Sequence, residues 1–228
     1  EAFSAASKCL TDGGVFVFED PSLLKMLERV SYDQIYDEHA HIFSATALQN
    51  LLGQNGLEIF RIENLIVHGG SNRIYACKQG TRKIENSVAE NLSLEQEYGI
   101  QELATYKKFA KKVATSKGAL VELLTNMKNE GRKVVSYGAT SKSTTVFNYC
   151  GIGPDLIDYI VDTTEAKQGK LSPGMHIPVV PPQSGFNDTV DVAFLGAWNY
   201  EREILSKEES FLKSGGRFVT HIPYVRFM

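Results

Sequence analysis

The stretch "VVSYGATSKSTTVFNYCG", residues 134–151, decides the fold. "VVSY" is an apolar, β-branched run with strand character. Gly138 is a turn signal, and "SKSTTVFNYCG" opens on hydroxyl side chains and closes on Gly151, which is how a capped helix begins and ends. Beyond it the alternation continues. "LIDYIVD", "IPVVPP", "DVAFLGAW" and "RFVTHIP" read as strands, and "NYEREILSKEESFLKSGG" reads as one helix. Continuous apolar strands separated by helices point to a parallel sheet covered on both faces. The class is therefore α/β, with a C-terminal doubly wound parallel-sheet domain over residues 132–228.

Before this domain, Leu103, Tyr106, Phe109, Val113, Leu120, Leu123, Leu124 and Met127 keep close to i, i+3, i+4 spacing. The pattern predicts one helix from about Ser93 to Glu130, stopped by Gly131. It has no domain of its own and reads as a linker over residues 81–131. Residues 1–80 open with a helix, "EAFSAASKCL", halted by "TDGG", where Gly13 and Gly14 are both expected at positive φ. "VFVFE" is a strand, expected to break at Glu19-Asp20-Pro21 because proline lacks a backbone donor. Ser44 caps a helix in "ATALQNLLGQNG", and "LEIFRIENLIV" and "SNRIYACK" flank the turn "HGG" as an antiparallel pair. This order is that of the back half of a doubly wound domain. The front half, which carries a glycine-rich nucleotide loop after its first strand, is absent. With Glu1 in first place, the chain is read as a fragment or one product of a split gene.

Composition sets broad limits. The 228 residues are 43% hydrophobic and 22% charged with net charge −3, which is ordinary for a globular protein and gives no reason to expect nucleic acid or an anionic membrane as partner. No apolar run reaches the roughly 18 residues of a membrane helix. Cys9, Cys77 and Cys150 lie far apart with no C-x-x-C pair, so neither a zinc ribbon nor a disulfide framework is indicated. So sparse a count suits a reducing, cytoplasmic setting.

Four places carry candidate chemistry. "YDQIYDEHAH", residues 32–41, holds two tyrosines, three carboxylates and two histidines. As a metal site it lacks a third ligand at a familiar spacing after His39 and His41, and no metal is assigned. Two readings stay open, a solvated loop and an acid–base centre. In the second, an imidazole with an unperturbed pKa of about 6.5 exchanges protons at neutral pH, Glu38 or Asp37 orients it, and a tyrosine hydroxyl holds a substrate oxygen. "SYGATSKSTT", residues 136–145, presents a helix start to an anion. It is not a P-loop, since Ser136 and Ser141 stand where glycines are required; a phosphate contact and a plain helix cap are both compatible with it. Arg73, after "HGGSN", is either a carboxylate or phosphate ligand or a surface strand arginine. Asp162 at a strand end is either a ligand contact or a turn cap. His176 and Trp198 read as structural.

Taken together, "YDQIYDEHAHIFS", "HGGSNRIY" and the stretch from "VVSYGATSKSTTVFNYCG" through "GMHIPVV" resemble the sugar C-methyltransferases, over most of the chain and in the right order. These enzymes methylate nucleotide-linked 4-keto deoxysugars with S-adenosylmethionine. The resemblance is to the family's latter part and implies the end of a class I methyltransferase domain, a linker helix and a C-terminal Rossmann-like domain. It also implies that the S-adenosylmethionine loop and a zinc-binding N-terminal module belong to a part absent here, which would be a partner of this chain. The motif Tyr-x-Glu-His falls on Tyr36, Glu38 and His39. It implies His39 as the base that removes the proton beside the ketone, assisted by Tyr36 and Glu38. Tyr32, Arg73, Ser141, Lys142 and Thr144 are assigned to a nucleotide-diphosphate sugar, expected to be thymidine-linked. Asp37 and Ser143 depart from the histidine and glycine expected at those places. The alternative is a non-catalytic module that binds a nucleotide sugar or another phosphate ligand.

Overall fold

The computed structural model describes residues 1–187 and 189–228. They divide into two compact units, residues 1–28 with 40–109 and residues 29–39 with 110–228.

In the first unit, α1 (Ala2–Cys9) leads into β1 (Phe16–Pro21) and α2 (Leu23–Arg29), then α3 (Ala45–Gly53), β2 (Leu57–Leu65), β3 (Ser71–Lys78) and α4 (Asn86–Tyr98). The sheet order is β1-β3-β2, with β3 antiparallel to both neighbours. Leu48 and Leu52 of α3 pack on Leu57, Ile59 and Ile62 of β2 and on Ile74 and Ala76 of β3, all buried. Ser44 caps α3 as expected, its hydroxyl accepting the Ala47 N–H at 3.0 Å. A second anchor comes from α4. The carboxylate of Glu95, only 2% exposed, accepts the N–H groups of Ala45 and Thr46 at 2.6 and 2.8 Å. An anion at the positive end of a helix is favourable.

Several local expectations are corrected. β1 runs through Asp20 to Pro21, pairing Pro21 with Ser71. It ends the three-stranded order, where a missing N–H deprives no second neighbour. Gly13 has φ +143, but Gly14 has no positive φ; a Cβ there would lie 3.0 Å from Leu10 Cδ2, so this glycine serves close approach. Residues Leu23–Arg29 form a further helix, α2, which buries Leu24, Met26 and Leu27. The single long helix is two: α4 closes on Gly99 at φ +75, and α5 runs over Leu103–Asn129. The Ile100 N–H bonds the Glu95 carbonyl at 3.0 Å, and buried Ile100 turns the chain. The apolar spacing reads straight through this break because glycine and its neighbours keep the helical period. Gly131 does stop α5, at φ +74.

In the second unit, the later part of α5 is followed by β4 (Val134–Tyr137), α6 (Ser141–Cys150), β5 (Ile160–Val161), β6 (Val179–Val180), α7 (Pro182–Gly185), β7 (Val192–Leu195), α8 (Glu201–Lys207), α9 (Glu209–Lys213), β8 (Arg217–Thr220) and β9 (Arg226–Phe227). The sheet order is β6-β5-β4-β7-β8-β9, parallel except for β9, which pairs antiparallel with β8. The order reverses at β4 and β7, so the crevice at their carboxyl ends is a switch point of the kind that binds ligands in open α/β sheets. Val134, Val135, Ala193, Phe194, Leu195, Phe218 and Val219 are fully buried in its core. β9 was not anticipated, and the helix expected before β8 is broken in two at Glu208. Among the described residues, no helix is long and apolar enough to cross a membrane.

Candidate active site

The stretch 29–39, expected within residues 1–80 by its place in the sequence, belongs to the second unit. Its first part is a 3₁₀ turn, Tyr32–Gln34, buried residue by residue. Asp33 is 0% exposed, and its Oδ2 accepts the indole N–H of Trp198 at 2.5 Å. The Nε2 of buried His221 lies 3.7 Å from the same oxygen. Tyr32 is buried, its hydroxyl 3.6 Å from Cys150 Sγ and its ring against Tyr149 and His221. Burial drives the Tyr32 phenol far above its ordinary pKa, so Tyr32 anchors the turn as a neutral group.

Past this anchor the chain becomes accessible. The His39 N–H bonds the Tyr36 carbonyl at 2.9 Å, closing a turn that brings the two side chains together. Tyr36 Oη and His39 Nε2 are hydrogen-bonded at 3.0 Å, with ring centroids 4.7 Å apart and planes at 74°. Both residues are half-buried, while Asp37 and Glu38 are exposed. Burial pushes the Tyr36 phenol upward, and the carboxylates of Glu38, Asp33 and Asp37 add to this. Tyr36 is therefore protonated at neutral pH and can donate. In the tautomer protonated on Nε2, the imidazole donates to Tyr36 Oη, the phenol hydrogen points onward, and the basic lone pair lies on Nδ1.

Tyr36 and Asp37 stand in the wall of a cavity of about 570 Å³ shared with Ser141, Thr144, Lys167 and Lys170. Residues from the start of α6 and two lysines thus share one wall, a setting suited to an anion, although the Lys167 ammonium also donates to the Ala139 carbonyl at 2.7 Å. The start of α6 is also a capping box. Thr140 Oγ1 accepts the Ser143 N–H and Ser143 Oγ accepts the Thr140 N–H, both at 3.0 Å. Ser143 thus has a structural task where glycine was expected.

The remaining candidates lie elsewhere. Lys142 is buried beside Tyr36, its Nζ 5.5 Å from the ring centroid, and is not in the cavity wall. Arg73 is on β3 in the first unit, where Glu19 and Glu63 take its guanidinium at 3.1 and 3.4 Å. His41 is exposed beside Phe43, also in the first unit. Asp162 accepts the Ala139 and Thr164 N–H groups, each at 2.7 Å. Burial pushes its carboxyl up, but those donors and Lys167 outweigh it and hold the pKa low. His176 is exposed in a tight turn at φ +55. Among the described residues, no cluster of three histidine, cysteine or acidic side chains could hold a metal.

Asp33, His221, Lys167 and Lys170 were not singled out from sequence. Asp33 lay inside the quoted stretch as one acid among three. The usable signal for His221 was a polar residue at the end of the apolar run "RFVTHIP".

The chain belongs to the C-methyltransferase family. Residues 66–223 match the C-methyltransferase C-terminal domain, and residues 1–62 match a methyltransferase domain. The chain is similar to the C-methyltransferase NovU of Streptomyces niveus, with 35% identity over 227 residues, 99% of this chain and 54% of NovU. It thus spans about half the length of that relative. The family implies S-adenosylmethionine as methyl donor. In the first unit the glycine pairs Gly13–Gly14 and Gly69–Gly70 precede strands rather than leading from a strand into a helix.

Proposed function

We propose that this chain performs the substrate side of sugar C-methylation. It holds a nucleotide-diphosphate 4-keto deoxysugar, expected to be thymidine-linked, while His39 takes a proton from the carbon beside the ketone. The C–H electron pair becomes the enolate π bond, the proton passes to the imidazole, and the negative charge collects on the former keto oxygen. The resulting nucleophilic carbon is the one methylated in the family's reaction. Tyr36 keeps the imidazole oriented and its hydroxyl meets the enolate oxygen, since a donor aimed at developing charge is among the strongest catalytic devices. Glu38, beside the pair, favours the imidazolium that forms. Ser141, Thr144, Lys167 and Lys170 suit the diphosphate. The observation that carries this reading is the 3.0 Å Tyr36–His39 bond with Tyr36 in the wall of that cavity.

The anion-suited wall by itself also fits a binding module without catalysis, and one experiment separates the two. The natural full-length protein is incubated in D₂O with a thymidine-diphosphate 4-keto-6-deoxysugar, and loss of the proton signal beside the ketone is followed by NMR. Exchange above the uncatalysed rate is expected. His39→Ala should lower it by roughly 10²–10⁴, the usual contribution of a general base, with calorimetric affinity for the sugar unchanged. Wild-type exchange in that variant removes His39 from the role. Binding without any exchange in the wild type leaves the module reading.

A further inference from the structure

Lys142 occupies a costly place. It is 6% exposed, and it sits in the first turn of α6, where the helix dipole opposes a cation. Burying an ammonium is unfavourable unless it is compensated. Compensation comes from two sides: its Nζ lies over the face of Tyr36, and the carboxylates of Asp33 and Glu38 act on it against the downward pull of burial. Its chain neighbours are arranged differently. Ser141 and Thr144 line the cavity while Lys142 does not, so the charge faces the Tyr36–His39 turn and not the open volume. A helix gains nothing in stability from a buried lysine at this position.

We propose that Lys142 is an electrostatic positioning residue for the Tyr36–His39 pair: its ammonium holds the phenol ring by a cation–π contact, and its charge offsets the nearby carboxylates so that the imidazole stays neutral and basic. This rests on His39 being the base. The charged and titratable groups near Tyr36 include Asp33, Asp37, Glu38 and Lys142, with Tyr32 and His221 behind Asp33 and with Lys167 and Lys170 in the same cavity wall. Removing this buried cation leaves the three carboxylates less compensated, which favours imidazolium and raises the pH at which the base becomes available.

The test uses the natural full-length protein and the same exchange assay. Lys142→Met is expected to lower kcat by about 10–100-fold with KM for the nucleotide sugar within about threefold, and to move the acid limb of the pH–rate profile up by about half to one pH unit. Lys142→Arg, which keeps the charge, should keep the limb at its wild-type pH even if its size lowers the rate. Should Lys142→Met fail to fold, Lys142→Gln carries the same expectation. A wild-type kcat with an unmoved limb overturns the proposal, as does a loss confined to KM, which would make Lys142 a direct substrate contact. The two readings fail separately. Exchange surviving in His39→Ala sinks the base assignment, whereas a dead His39→Ala beside a normal Lys142→Met sinks only the role of Lys142.

Discussion

Replacing Tyr36 with phenylalanine removes one oxygen and leaves the ring in place. The edge contact with His39, 4.7 Å between centroids, survives, so the imidazole keeps its packing and loses only its hydrogen bond. As a half-buried neutral bond this is worth about 0.5–1.5 kcal/mol of stability, and the fold should persist. The rate should suffer more, because in the proposed reaction the same hydroxyl orients the base and meets the enolate oxygen. Loss of one such donor typically costs about 10²–10³ in kcat, or roughly 2.7–4 kcal/mol of barrier at 1.36 kcal/mol per tenfold. The pH dependence is a second check. The Tyr36 pKa lies above its ordinary value, so the phenol is protonated below that pKa and loses its proton only as pH rises through it. The deficit of Tyr36→Phe should therefore be flat from about pH 6 to about pH 9. The assay is NMR-detected proton exchange across that range, with sugar affinity measured in parallel. A loss under about threefold at unchanged affinity would refute the reasoning, and so would a deficit that appears only at alkaline pH.

Two further predictions concern stability. Glu95→Ala strips α3 of a carboxylate that accepts two backbone N–H groups and the Thr46 hydroxyl at 2.6–2.8 Å; urea unfolding should show a loss of about 2–4 kcal/mol, with Glu95→Gln recovering part of it. Asp162 has a depressed pKa in the fold, so its stabilisation is present above the ordinary aspartate value of about 4 and disappears as pH falls through the folded value. Unfolding free energies taken from neutral to strongly acid pH should therefore fall less steeply in Asp162→Asn than in the wild type, and parallel curves would contradict the assignment.

Where the sequence could be read, the information was local. Strand, turn and helix from Val134 to Gly151 follow from residue type and order. The Tyr36–His39 pair came only from the family resemblance; the turn that joins the two side chains is a finding of the structure. The long-helix reading failed at Gly99 because hydrophobic spacing is blind to a single left-handed residue. The chain also hid its polar core. The Asp33–Trp198 bond joins residues 165 apart, and Tyr32 meets Cys150 across 118. Each of these residues has a bland local reading, and only the pairing makes it informative.

By itself, then, the amino-acid order determined the α/β class and the alternation that builds the second unit, because backbone preference and short-range spacing are properties of neighbours along the chain. The tertiary structure alone decided that residues 29–39 pack with the C-terminal sheet, that Lys142 turns its charge toward Tyr36 and that Arg73 is held by Glu19 and Glu63. Burial and charge compensation depend on which distant side chains arrive at the same place, and no window of sequence contains that sum.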